Sequence, residues 1–204
     1  MKRMLPVKPI SQLFPIPMVM GCEGVAAAML LQYNHHRIKA TTIMKDWPKH
    51  RNNPRKGYVG HQLLVKFGFH QTIFPQTYVP HLKQFHDGFT DGTGKILDEL
   101  ETIIDAGQPV LIYHTVLGQS PARRWFKLDG TKEQLTSNIH TTVLIGYDDK
   151  YYYYIDPLWS QWFHSIYVPA FIPNRFQVIR MPKARMRQSY DAPGRMCIYI
   201  QPTR

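Results

Sequence analysis

Cys22 is the residue of this chain best placed to do covalent chemistry. It sits in the run Gly21-Cys22-Glu23, after an approach stiffened by Pro15 and Pro17 and before an Ala/Leu/Met-rich segment. Ala, Met, Leu and Gln are strong helix formers, and nothing between Val25 and Gln32 interrupts them. The pattern predicts a helix over Glu23–Tyr33, with Cys22 at or just before its N-terminus. There the unpaired backbone N–H groups and the helix dipole favour negative charge. A thiolate is the reactive form of cysteine, and such a position is one of the settings that lowers a thiol pKa. The competing reading is a small, inert, buried cysteine, which free cysteines commonly are. A base elsewhere in the chain decides between the two.

His140 is the candidate base. The segments His140–Tyr147 and Tyr151–Asp156 flank Asp148-Asp149-Lys150 and read as a β-hairpin. With residues 148 to 150 as the loop, Tyr147 pairs with Tyr151 and Thr142 stands opposite Asp156. His140 shares a face with Thr142, so His140 and Asp156 become diagonal neighbours, about 7–8 Å apart at the backbone. A loop one residue shorter would put them on opposite faces. In the first register Asp156 accepts a proton from one ring nitrogen of His140, leaving the other to take the thiol proton. A Cys followed far downstream by His and Asp, adjacent only after folding, is the layout of cysteine-nucleophile enzymes. A His on a strand, taken alone, is more often structural.

Other elements must hold these groups. Residues 1–21 carry Pro6, Pro9, Pro15 and Pro17, which predicts an extended approach. Residues 45–60 read as a loop, while 61–90 allow no clear assignment. Ile96, Leu97, Leu100, Ile103 and Ile104 form one apolar stripe, which predicts a helix capped by Thr93 or Asp91 and ended by Gly107. Pro109–Val116 reads as a strand in which His114 is a satisfied core or surface residue rather than a catalytic one, and 117–138 as an exposed connection. Further β-leaning segments fall near Trp162–Val168, Phe176–Met181 and Arg195–Gln201. The order predicts an α+β fold, an N-terminal helix packed on a C-terminal antiparallel sheet, in a single domain over residues 1–204.

Composition narrows the class. The chain has 204 residues, 44% of them hydrophobic, enough for one sizeable core. No apolar run approaches the ~20 residues needed to span a bilayer. The N-terminus does not read as a signal peptide, which gives a cytoplasmic expectation, with association to the cell envelope as the alternative. Two cysteines, Cys22 and Cys197, rule out a four-thiolate zinc site, and no His-Glu-x-x-His run occurs, so no metal or other cofactor is expected. A Cys22–Cys197 disulfide would consume the nucleophile, so those two ideas compete. The net charge of +11 implies attraction to anionic partners. The absence of a nucleic-acid-binding signature argues against nucleic acid and leaves a solubilising surface or anionic cell-wall polymers.

Several short motifs resemble one family. Gln12, Pro17, Gly21-Cys22-Glu23 and Met29-Leu30-Leu31-Gln32-Tyr33 are similar to the nucleophile segment of stand-alone relatives of the bacteriocin-processing, double-glycine-leader cysteine peptidases. Lys56-Gly57-Tyr58-Val59-Gly60 resembles their Gly-Phe-x-Gly loop, and Gly107-Gln108-Pro109-Val110 their Gly-x-Pro-Val lead into a central strand. His140, Val143, Gly146-Tyr147-Asp148 and Asp156-Pro157 resemble their histidine segment and Asp-Pro step. The resemblance spans most of residues 10–160. It departs at His61-Gln62, where relatives often carry Asp-Pro, in the segment around Trp159, Trp162 and Phe163, and over the last forty residues.

That resemblance implies a papain-like cysteine peptidase fold, with Cys22 as nucleophile, His140 as base and Asp156 orienting it. It adds Gln12 as an oxyanion-hole donor beside the Cys22 backbone N–H. The expected activity is cleavage of a peptide or amide bond in a peptide or protein substrate through a thioester. Peptidoglycan-peptide hydrolysis by the same residues and a non-catalytic binding domain on this fold are the alternatives.

Overall fold

The computed structural model describes residues 2–163 and 165–201. Helix α1 spans Cys22–Tyr33, and every residue from Glu23 to Leu31 is buried. A helix apolar on all sides belongs inside a protein rather than on its surface. It packs against the two central strands of the main sheet. Its alanines let those strands approach closely.

The chain enters through a short strand, β1 (Arg3–Met4), and reaches α1 by turns rather than by any regular element. After α1 come a short helix, α2 (Ala40–Lys45), and two short strands, β2 (Lys49–His50) and β3 (Tyr58–Val59), paired in parallel. The sequence left residues 61–90 open. They contain α3 (Pro75–Leu82) and β4 (Phe89–Asp91).

The apolar stripe forms α4 (Leu97–Asp105), but neither Thr93 nor Asp91 caps it. The Asp91 carboxylate accepts from the Thr93 N–H at 2.9 Å, and Glu99 reaches back to the Ile96 N–H at 2.9 Å. The acidic residue three positions into the helix satisfies an orphan donor and displaces the expected cap.

Strand β5 (Val110–Thr115) is buried throughout. Residues 117–138 are not the open connection expected. They hold a hairpin, β6 (Arg123–Leu128) with β7 (Thr131–Thr136). Its turn is Asp129-Gly130, with φ of 49° and 95°. Two successive residues at positive φ make the tight turn that matches strand twist, and Asp-Gly is a strong local signal for it.

Strands β8 (Ile139–Tyr147) and β9 (Tyr151–Ile155) form the expected hairpin. They are followed by a second small hairpin, β10 (Trp159–Trp162) with β11 (Ile166–Pro169), then β12 (Val178–Pro182). Position 164, inside the expected β-leaning run, lies outside the described residues. Helix α5 (Lys183–Asp191) has no counterpart in the sequence reading, because its basic and polar composition hides its apolar contacts, Met186 and Tyr190. Strand β13 (Cys197–Ile200) returns to the sheet. The main sheet runs β12-β9-β8-β5-β13-β4, with β1 joined to β8, and all of its pairings are antiparallel. This is the α+β arrangement expected, with the cysteine-bearing helix against an antiparallel sheet.

The hairpin register differs from expectation at the loop and agrees with it at the far end. Tyr147 pairs with Tyr152, one residue beyond the expected partner. Taken alone, that shift would place His140 and Asp156 on opposite faces. A β-bulge between Leu144 and Gly146 inserts a residue and restores the pairing of Val143 with Ile155. Thr142 and Asp156 are therefore next in line, and His140 lies diagonally across from Asp156.

Candidate active site

Cys22 is the first residue of α1, with Gly21 as its N-cap and no side-chain cap. The thiol is partly exposed, and no disulfide forms, since Cys22 and the buried Cys197 are both free. Two groups on β8 adjoin the sulfur, the His140 imidazole and the Thr141 backbone N–H, and both favour its charged form. The packing of α1 on β8 thus brings a residue early in the chain to one more than a hundred positions later.

His140 is 6% exposed and Asp156 is fully buried. His140 Nε2 lies 2.8 Å from Asp156 Oδ1. With Nε2 so engaged, Nδ1 is the nitrogen left for the Cys22 side. The same Asp156 oxygen accepts from the backbone N–H groups of Leu158 at 2.8 Å and Trp159 at 3.0 Å, an Asx-type turn that fixes the carboxylate. Gln177 braces this corner from below. Its side-chain amide donates to the carbonyls of Asp156 at 2.9 Å and Ile10 at 3.1 Å. The Asp156 N–H in turn donates to the Gln177 carbonyl at 2.9 Å.

Gln12 is 1% exposed. Its backbone N–H donates to the Pro157 carbonyl at 2.8 Å, which ties the approach segment to the residue after Asp156. Its side-chain amide donates one N–H to the Val19 carbonyl at 3.0 Å. An amide nitrogen carries two protons, so a second donor remains. Gln12 Oε1 is buried without a partner among the described residues.

The glycine loop also reaches the approach. Gly57 lies so close to the Pro48–His50 backbone that a Cβ there would meet Lys49 carbonyl carbon at 2.7 Å. This close approach seats Tyr58, whose hydroxyl donates to the Met20 carbonyl at 2.7 Å, two residues before the thiol. Beside Met20 and Ile139 a cleft of about 250 Å³ opens, walled by Phe69, Trp125 and Phe126 with Arg124 at its edge.

Opposing influences act on the two titrating groups. Burial is the largest single influence and works against a charged His140, but the Asp156 carboxylate, by charge and by hydrogen bond, together with the Cys22 sulfur, outweighs it and holds the imidazole well above its ordinary value. Burial and then the neighbouring Glu23 push the Cys22 thiol up, while His140 and the Thr141 N–H pull it down. The charged imidazole is thus well supported, and the thiolate is held back chiefly by its surroundings.

His114 stands directly opposite His140 in the β5–β8 pairing. It is fully buried and bonded to Ser189 at 3.1 Å and Thr142 at 3.0 Å. Burial, with His140 adding to it, lowers its pKa to about 3. Of the core and surface roles the strand pattern left open, the structure gives it the core one. One polar group at the site was quoted in the sequence without a role, Glu23, whose Oε2 is 3.3 Å from the Cys22 sulfur. The available signal was a lone carboxylate opening an otherwise apolar helix.

Comparison with known proteins agrees with this fold. The model of the Peptidase_C39 like family matches residues 4–176. The uncharacterized protein YvpB of Bacillus subtilis strain 168 is 28% identical over 155 residues, covering 67% of this chain. That match spans 58% of the relative's own length. A crystal structure of a candidate C39-like peptidase from Bacillus anthracis superposes with a TM-score of 0.81 at 24% identity, covering 100% of this chain and 98% of that one. At that identity the likeness establishes the fold.

Proposed function

The chain belongs to the Peptidase_C39 like family, and from that premise we propose that it is a papain-like cysteine peptidase working through Cys22, His140 and Asp156. The observation that carries the reading is a single imidazole held between two partners. Its Nε2 is 2.8 Å from a buried carboxylate, and the helix-borne thiol adjoins the same ring, each favouring the other's charged form.

The chemistry follows from that arrangement. His140 Nδ1 takes the Cys22 proton, and Asp156 stabilises the resulting imidazolium. The thiolate attacks the carbonyl carbon of a peptide bond. The oxyanion forms beside the N-terminus of α1, where the Cys22 backbone N–H is unpaired by the helix. The second Gln12 amide proton is the other candidate donor, and such donors are worth about 10²–10³ in rate. The imidazolium then protonates the departing amine, leaving a thioester on Cys22. Water, deprotonated by His140, hydrolyses the thioester and regenerates the thiol.

The substrate in this reading is a peptide or protein segment. The cleft beside Met20 and Ile139 offers it apolar walls at Phe69, Trp125 and Phe126. Iodoacetamide tests the assignment. Stoichiometric alkylation of Cys22 is expected to abolish turnover of a peptide library, and turnover that survives full alkylation rejects the mechanism.

A further inference from the structure

Glu23 occupies an unusual place for a carboxyl group. In the first turn of a surface helix, Glu would face water and complement the dipole. Here it is 2% exposed. Its Oε2 accepts from the Cys22 thiol at 3.3 Å, and its Oε1 accepts from the Thr72 hydroxyl. Among the described residues no lysine or arginine is paired with it.

Titratable groups from five elements surround Glu23. Cys22 faces it from α1, Tyr58 from β3, Tyr78 from α3, Tyr113 from β5 and His140 from β8. The three tyrosine hydroxyls do not neutralise the carboxyl. Each donates to a backbone carbonyl instead: Tyr58 to Met20, Tyr78 to Glu23 itself, and Tyr113 to Ile73. The Thr72 hydroxyl is neutral, and His140 is already committed to Asp156. An ionised carboxylate enclosed in this way lacks the pairing that buried charges need, so the neutral acid is the favoured form.

We propose that Glu23 is a positioning residue for Cys22 that works as a neutral acid, its Oε2–H donating a hydrogen bond to the thiolate. In the thiol state the Cys22 S–H donates to Glu23 Oε2. When that proton passes to His140 Nδ1, the sulfur becomes an acceptor, and the Glu23 proton is the donor that meets it. Glu23 keeps its own proton throughout, so no additional base or acid is required. An ionised Glu23 would instead place a second anion against the sulfur.

The geometry agrees with the direction of titration. Burial is the largest influence on Glu23 and raises its carboxyl above the ordinary value, against smaller opposing contributions from Thr72, its own backbone, Cys22 and His140. As pH rises and Glu23 loses its proton, thiolate support turns to repulsion and turnover falls. A glutamine at this position has no proton to lose, so the alkaline limb set by Glu23 disappears in Glu23→Gln. This consequence for turnover rests on the peptidase reading. The thiolate effect does not, and it is tested without any substrate.

The experiment is the pH dependence of iodoacetamide alkylation at Cys22 in the full chain, with the site assigned by peptide mapping. Cys197 is buried and its thiol is pushed up to about 12, so it does not compete. Glu23→Gln, whose amide donates as the acid did, is expected to keep the thiol pKa within about half a unit of the unsubstituted chain. Glu23→Ala is expected to raise it by about one unit, which slows alkylation on the acid side about tenfold. Both variants lowering the thiol pKa would mean that Glu23 is an anion and would overturn the proposal. Glu23→Ala leaving it unchanged, or Glu23→Gln raising it as far as Glu23→Ala, would overturn it as well. Infrared spectroscopy covers the case in which Glu23→Ala does not fold. A protonated-carboxyl C=O band lost in Glu23→Gln supports the proposal, and no such band at neutral pH rejects it.

Discussion

His140 Nε2 sits 2.8 Å from Asp156 Oδ1 because a bulge between Leu144 and Gly146 corrects the register of the strands that carry them. Without the extra residue, the pairing of Tyr147 with Tyr152 would propagate along the hairpin and put the two side chains on opposite faces. The contact between imidazole and carboxylate is therefore a product of strand irregularity as much as of residue choice.

Loss of the Asp156 carboxylate removes the main influence opposing the burial of His140. Asp156→Ala is expected to reduce kcat on the order of 10²–10⁴-fold with KM little changed. Asp156→Asn, whose amide oxygen still accepts from Nε2–H, retains more activity. Steady-state kinetics on one cleavable peptide, with circular dichroism as the fold control, checks both. Equal losses in the two variants would show that orientation plays no part.

Gln12 is assigned a role only when charge develops on the substrate oxygen. Gln12→Ala is expected to lower kcat about 10²–10³-fold. It should leave the alkylation rate of Cys22 unchanged, because the thiol does not depend on that amide. A large effect on alkylation would place Gln12 in the activation of the sulfur instead.

The sequence carried much of this site, for identifiable reasons. Strong helix formers after Cys22 made α1 legible, and two runs of β-formers around Asp148-Asp149-Lys150 made the β8–β9 hairpin legible. The bulge was not legible, since nothing in Leu144-Ile145-Gly146 distinguishes an extra residue from a regular strand. The β6–β7 hairpin was signalled by Asp129-Gly130 but masked by the charge and proline around it. Helix α5 was hidden because its apolar contacts come from only a few residues in a basic run. The sequence assigns Glu23 no role, and only its burial distinguishes it from an ordinary first-turn acid.

Gly146 is required where β1 crosses the bulged end of β8. A Cβ there would meet the Arg3 carbonyl oxygen at 2.2 Å, and backbone on that side has little room to move. Gly146→Ala is expected to cost about 1–3 kcal/mol, in line with other overpacked sites. Urea unfolding measures this directly. A variant as stable as the parent would mean that β1 is free to shift.

His114 predicts a specific acid sensitivity. Burial lowers its pKa from 6.5 to about 3, so below pH 6.5 the unfolded chain binds a proton that the folded chain does not. The stability contributed by neutral His114 is full above pH 6.5 and is lost as pH falls toward 3. Its ceiling is on the order of 5 kcal/mol. Replacing it by glutamine, which can still bond Ser189 and Thr142, is expected to flatten urea midpoints measured from neutral to acid pH. An unchanged slope would assign the acid sensitivity to other groups, His70 among them, whose burial lowers its pKa as well.

The central claim is that Cys22 becomes covalently acylated during peptide cleavage. Intact-mass measurement of acid-quenched reactions with a cleavable peptide tests it most directly. The account predicts an added mass equal to the N-terminal product fragment, mapped to Cys22, and its absence in Cys22→Ala together with loss of cleavage. Continued cleavage by Cys22→Ala, or an adduct mapped to another residue, would contradict it.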